Sequence, residues 1–226
     1  MVKIGKATIL NVDCMEYMRT LPDKFFDLAI VDPPYGIGAD EKQNQTAESR
    51  IKANGKSKAG RGYKLYKKTE WDNKIPDENY FIELFRISKN HIIWGGNYMT
   101  KFLQPSMGWI MWNKMQREFS LADGELAWTS FNMAIRIFDM SRGEAMANHH
   151  KNRFHPTQKP VKLYEWILTN YAKPGQTIFD SHMGSGSSAV ACNNLGFEYV
   201  GCELDKDYYD AACKRVAHHH SQGKLF

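Results

Sequence analysis

Short apolar runs punctuate the chain, and between most of them the apolar positions recur every three or four residues. Ala7 to Leu10, Phe25 to Val31, His91 to Trp94, Trp109 to Trp112, Ala134 to Phe138, Thr177 to Asp180 and Tyr199 to Glu203 have the length and composition of strands. Helical spacing begins at Asp13, with Met15 and Met18 on one face, and Pro22-Asp23 breaks it. Pro76-Asp77-Glu78 opens a second helix whose stripe is Tyr80, Phe81, Leu84 and Phe85. Further helices are expected from Pro160 to about Ala172, from Ser185 to Leu195 with Gly196 as the cap, and from about Lys206 to Ala217. Two polar stretches lack either period: residues 36–73, which read as a long mobile loop, and Arg142 to Asn152, which reads as a second loop.

Strands alternating with helices predict an α/β domain built on a largely parallel sheet. With 226 residues, 42% of them hydrophobic, one core and one domain spanning 1–226 are expected, with a small insertion at about 114–152 that reads a target. Ligands of such sheets bind beyond the carboxyl ends of the strands. Every unusual motif here stands at such an end: Asp32-Pro33-Pro34-Tyr35, Gly95-Gly96, Asp180 through Gly186, and Glu203.

Charge refines the picture. The net charge is +5, yet between Lys42 and Lys68 nine basic residues face a single acid, Glu48. A basic segment on an otherwise slightly acidic chain suggests a polyanion partner, with Lys52, Lys56, Lys58, Arg61, Lys64, Lys67 and Lys68 as phosphate contacts. Cys14, Cys192, Cys202 and Cys213 show no metal-ligand spacing and read as reduced structural thiols. The pair His149-His150 and the triplet at His218 to His220 likewise lack neighbours for a zinc site, so no metal is expected. No run approaches the roughly 20 apolar residues of a membrane span, and the first residues lack a signal peptide's apolar stretch. A cytoplasmic enzyme is the resulting expectation.

Gly184-Ser185-Gly186 follows a strand, opens a helix and, with Ala189, satisfies G-x-G-x-x-A; Glu203 ends the next strand 17 residues later. Such glycines admit a ligand close to the backbone, and the acid can accept both hydroxyls of a ribose. Dinucleotides and S-adenosylmethionine both carry that ribose. A dehydrogenase would need a second half-sheet, and only about forty residues follow Gly186. Asp32-Pro33-Pro34-Tyr35 is more specific, because two prolines fix the backbone rigidly between a carboxylate and an aromatic ring.

At these residues the chain resembles the amino-group DNA methyltransferases of the subgroup in which the catalytic motif precedes the cofactor motif. Asp32, Pro33, Pro34 and Tyr35 match the family's DPPY motif, and Ile178 to Cys192 resembles its glycine-containing cofactor motif. His155 to Pro160 resembles the HPTQKP segment beside the methionine end of the cofactor, and Asp13-Cys14 the segment near its adenine ring. The resemblance implies a Rossmann-like, circularly permuted methyltransferase fold with a mostly parallel seven-stranded sheet flanked by helices. The strands after Thr177 would insert beside those of Ile9 and Val31. It implies S-adenosylmethionine held by Asp13, Cys14, Asp32, Thr157, Gln158, Lys159, Asp180, Ser181, His182, Gly184, Ser185, Gly186 and Glu203. Ser181 and His182 depart from the family's usual Pro-Phe.

The implied reaction methylates the N6 amino group of adenine in double-stranded DNA after base flipping. A homodimer and a cognate restriction nuclease are further associations that the resemblance allows without selecting. Ring-carbon methylation of cytosine would need a cysteine nucleophile, commonly after proline, and no proline here precedes a cysteine. Methylation of the cytosine amino group, RNA modification and a catalytically silent DNA-binding relative stay open.

Overall fold

A computed structural model describes residues 1–38, 72–118, 122–148, 154–155 and 157–222, with the side chains of 146–148 left aside. Nine strands form one sheet among them: β1 (Val2–Ile4), β2 (Ala7–Leu10), β3 (Phe26–Val31), β4 (Ser88–Trp94), β5 (Trp109–Asn113), β6 (Gly124–Thr129), β7 (Arg136–Asp139), β8 (Thr177–Asp180) and β9 (Glu198–Cys202). The helices are α1 (Cys14–Arg19), α2 (Glu78–Ile87), α3 (Arg142–Asn148), α4 (Val161–Tyr171), α5 (Ser187–Leu195) and α6 (Lys206–Ser221). The strand order is β1-β2-β9-β8-β3-β4-β6-β5-β7, and five of the eight pairings are parallel. β9 pairs with β2 and β8 with β3, so the strands after Thr177 insert beside those of Ile9 and Val31, as expected.

The expected seven strands are therefore nine. β1 is added through a two-residue turn in which Gly5 takes φ +59°. β6 escaped the pattern because Gly124 and Glu125 open it, and its pairing with both β4 and β5 makes it a strand. The loop expected from Arg142 begins instead as α3, where the Ser141 hydroxyl accepts from Glu144 N at 3.1 Å and so caps the first turn.

Both faces of the central strands are covered, which explains their unbroken apolar runs. Leu28 and Ile30 of β3, with Ile92 and Trp94 of β4, pack into the cluster that holds Leu163 and Ile167 of α4, Val190 of α5 and Val216 of α6. Their alternates Ala29, Val31 and Ile93 pack with Met18 of α1 and with Phe81 and Leu84 of α2. From β8 the chain crosses through α5 to β9 on one side, and from β3 through α2 to β4 on the other. The direction of winding therefore reverses between β8 and β3, where a crevice opens at the strands' carboxyl ends.

Candidate active site

A cavity of about 550 Å³ fills that crevice. Asp13 and Cys14 reach it from the segment after β2, Asp32 and Pro34 from the end of β3, Ser181 to Ser185 from the end of β8, and Glu203 from the end of β9. Thr157, Gln158 and Lys159 close it from the stretch before α4. Most of the residues that the sequence reading assigned to a cofactor thus line one space. Asp180 and Gly186 are not on its surface. The Asp180 carboxylate lies buried behind the wall, accepting from the Ser188 hydroxyl at 2.7 Å and from His182 N at 3.1 Å. Burial pushes its pKa up to about 7 despite those two donors. Gly186, at φ +72°, faces α6, where a β-carbon would meet Val216 Cγ2 at 3.0 Å.

The proline corner after β3 brings acid and phenol together. The Tyr35 hydroxyl donates to Asp32 Oδ1 at 2.6 Å, and burial together with the Asp32 charge keeps that phenol protonated by pushing its pKa well up. Asp72 braces the turn from behind: one carboxylate oxygen accepts from Tyr35 N at 2.7 Å and Gly36 N at 3.0 Å. The Tyr35 ring stacks on Tyr98, with centroids 5.2 Å apart.

Lys159 meets the corner directly. Its ammonium lies 2.5 Å from Asp32 Oδ2, 3.1 Å from the Tyr35 hydroxyl oxygen and 3.2 Å from Glu125 Oε2. Three N–H groups therefore have three acceptors. Burial raises the pKa of Asp32, with the Lys159 charge opposing and the Glu125 charge adding to the rise. Burial works against the Lys159 ammonium, but Asp32 and Glu125 outweigh it and lift its pKa above the usual lysine value. Glu125 is likewise disfavoured by burial, yet Lys159 and Lys114 bring it down to about 2. A buried cation thus stands between two carboxylates.

At the far wall Gly184 has φ +54°, and its N–H donates to Glu203 Oε2 at 2.9 Å. Asp205 N donates to Glu203 Oε1, also at 2.9 Å. A carboxylate offers about four lone-pair sites, so each oxygen can still accept a hydroxyl. Burial pushes the Glu203 pKa up to about 7 in spite of both backbone donors. Between the two ends, the Ser181 hydroxyl sits 2.7 Å from the Tyr80 hydroxyl and 2.8 Å from His182 Nδ1. Burial brings His182 down to about 4, so it is neutral at physiological pH.

Glu125, Lys114, Asp72, Tyr98 and Tyr80 were not expected at this site: Lys114 and Glu125 fell in the stretch expected to read a target, and Tyr80 in a helical stripe. Only Asp72 carried a signal, as an acid at the close of the long polar stretch. Lys52, Lys56, Lys58, Arg61, Lys64, Lys67 and Lys68 lie outside the described residues, as does Pro156. Among the described residues no group of three or more His, Cys, Asp and Glu could hold a metal ion, and no helix is long and apolar enough to cross a membrane.

A family profile described as DNA methylase, covering N6 and N4 methyltransferases, matches residues 26–214. The type II methyltransferase M.HinfI of Haemophilus influenzae is 26% identical over 256 residues, spanning 92% of this chain and 68% of that protein. The crystal structure of the M1.HpyAVI–SAM complex has a TM-score of 0.55 at 20% identity and covers 93% of this chain and 98% of its own. The PvuII DNA methyltransferase, which is cytosine-N4-specific, has a TM-score of 0.58 at 12% identity, with 97% and 93% covered. At such identities the structures speak for the fold alone.

Proposed function

Because the chain belongs to the DNA methylase family through residues 26–214, we propose that it methylates the exocyclic N6 amino group of adenine in double-stranded DNA, with S-adenosylmethionine as donor. The observation that carries this reading is that Asp32 and Glu203 line one cavity. Its volume suits a small-molecule site, for which roughly 300–1,000 Å³ is usual. Glu203 would hold the ribose hydroxyls, Gly184 and Ser185 would lie against the nucleoside, Asp13 and Cys14 near the adenine ring, and Thr157 and Gln158 near the methionine end. Bound there, S-adenosylmethionine supplies an electrophilic methyl group on a sulfonium.

The remaining work falls to the protein. An exocyclic amino nitrogen is a poor nucleophile because its lone pair is delocalised into the ring. The Asp32 carboxylate and the Pro33 carbonyl would accept hydrogen bonds from its two N–H groups, draw the nitrogen toward tetrahedral geometry and localise that pair. The nitrogen takes the methyl as the carbon–sulfur bond breaks and then loses one proton by way of Asp32. Pro33 and Pro34 hold these acceptors in place, so positioning and preorganised charge give the rate. The target base must leave the duplex stack. Tyr35 would receive it, and such stacking is worth about 1–3 kcal/mol per base. Residues 42–68 would neutralise phosphates. Target reading would fall to the 114–152 stretch.

Cytosine N4 is the competing target, since the same direct attack serves it and the PvuII enzyme of this fold is cytosine-N4-specific. Incubation with labelled donor and DNA, followed by nucleoside analysis, separates the two. Labelled N6-methyladenine supports the proposal, N4-methylcytosine moves it to the second reading, and an absence of label in DNA removes both.

A further inference from the structure

Each oxygen of Asp32 already accepts one hydrogen bond, so a substrate amino group has to share it with a resident donor. Oδ1 accepts from Tyr35 and Oδ2 from Lys159. The buried Lys159 ammonium, 2.5 Å from Oδ2, is the stronger competitor for that acceptor, because it carries a full charge. Tyr35 is braced through its backbone by Asp72 and through its ring by Tyr98. Lys159 has somewhere else to go. Glu125 Oε2 already lies 3.2 Å from its ammonium, and Glu125 Oε1 is anchored by Lys114 at 2.6 Å. The Trp94 ring, 5.1 Å from the Lys159 nitrogen, adds a cation–π contact nearby.

We propose that Glu125 is a positioning residue of the methyl-transfer site: it holds a second seat for the Lys159 ammonium, so that Asp32 Oδ2 is released when the target amino group arrives. The inference rests on the methyl-transfer reading given above. A buried ammonium that leaves one carboxylate without finding another is uncompensated, and that penalty would oppose every productive encounter. With Glu125 in place the cation moves between two carboxylates and stays paired throughout. It also stays close enough to keep Asp32 ionised, which burial alone would resist. Both Asp32 and Glu125 feel Lys159, Glu125 also feels Lys114, and Tyr35 is coupled to both carboxylates; Tyr164 of α4 and Asp180 behind the cavity also interact with this cluster.

The test is E125Q beside E125D and the parent protein, with cofactor affinity measured by calorimetry and methyl transfer followed across pH. A neutral glutamine leaves Lys159 fixed on Asp32, so turnover is expected to fall about 10- to 100-fold while cofactor affinity is unchanged. Removing the Glu125 charge also lets Asp32 ionise more readily, so the acid limb of the rate profile moves to lower pH. The limb reports the Glu125 charge facing Asp32, and the loss of turnover at unchanged cofactor affinity is the readout that a merely structural role would not give. E125D keeps the charge with a shorter reach, and intermediate turnover with the parental limb is expected. If E125Q does not bind cofactor, E125D decides alone, and full parental turnover in it overturns the inference. An active parent with an equally active E125Q, wherever its acid limb lies, overturns the inference and leaves the functional reading standing. A parent that transfers no methyl group to DNA overturns both.

Discussion

Gly95 sits at φ +68° beside the ring of Tyr35, and a β-carbon on it would overlap Tyr35 Cδ1 and Cε1. The end of β4 thus leaves the Tyr35 ring its place by presenting bare backbone. In G95A the residue would be strained in φ and would push Tyr35 away from Asp32. We expect a stability loss of about 1–3 kcal/mol by denaturant unfolding and a large fall in methyl transfer. Unchanged turnover would mean that the Tyr35 position does not matter to the chemistry.

The Ser181 hydroxyl is expected to matter for stability through Tyr80. S181A removes a partner of a buried phenol whose Oη lies 2.7 Å from Ser181 Oγ. The loss should be about 1–3 kcal/mol, as for other unsatisfied buried groups. Adding Y80F should recover part of it, because both ends of the bond are then gone. Additive losses in the double variant would show that the two side chains are energetically independent.

Cofactor affinity should rise with pH. Before cofactor binds, Glu203 titrates near 7, raised by burial. In the proposed site ribose hydroxyls would donate to its ionised form, which makes the bound pKa lower than the free one. Binding near pH 7 then releases a proton, and affinity increases as pH climbs through 7 before levelling off. Calorimetry from pH 6 to 8 measures this directly. E203Q should flatten the dependence and weaken binding about 10- to 100-fold, the worth of hydrogen bonds to a charged acceptor. A parent affinity that does not vary with pH would remove the carboxylate from the ribose site.

DNA affinity should depend on salt through the 42–68 segment. For B-form DNA the slope of log K against log salt is roughly 0.9 for every phosphate the protein neutralises. Replacing Lys56, Lys58, Lys64, Lys67 and Lys68 with glutamine should therefore flatten that slope clearly. An unaltered slope would mean that other residues meet the phosphates.

What could be read from the chain divides along physical lines. β2, β3, β8 and β9 and the helices between them declared themselves, because a central parallel strand is a continuous apolar run and its helix has a 3.6-residue stripe. The corner at Asp32 and the turn at Gly184 were legible for a related reason, since proline and glycine there leave the backbone few alternatives. β6 was not legible: Gly124 and Glu125 are poor strand signals, and neighbours on both sides supply the pairing. The Asp32–Lys159–Glu125 cluster was hidden as well. Lys159 lies 127 residues from Asp32 in the chain, and Glu125 lies in an element that the pattern did not reveal. The Asp180 partners were hidden too: its carboxylate accepts from His182 N and from the Ser188 hydroxyl behind the cavity wall.

The most direct measurement is methyl transfer by D32A in parallel with calorimetric binding of S-adenosylmethionine. In the proposed reaction Asp32 would accept from the target amino group, while Glu203 and the Gly184 turn would carry the cofactor's nucleoside. Transfer should be abolished with cofactor affinity largely retained. Near-parental turnover in D32A would contradict the catalytic assignment.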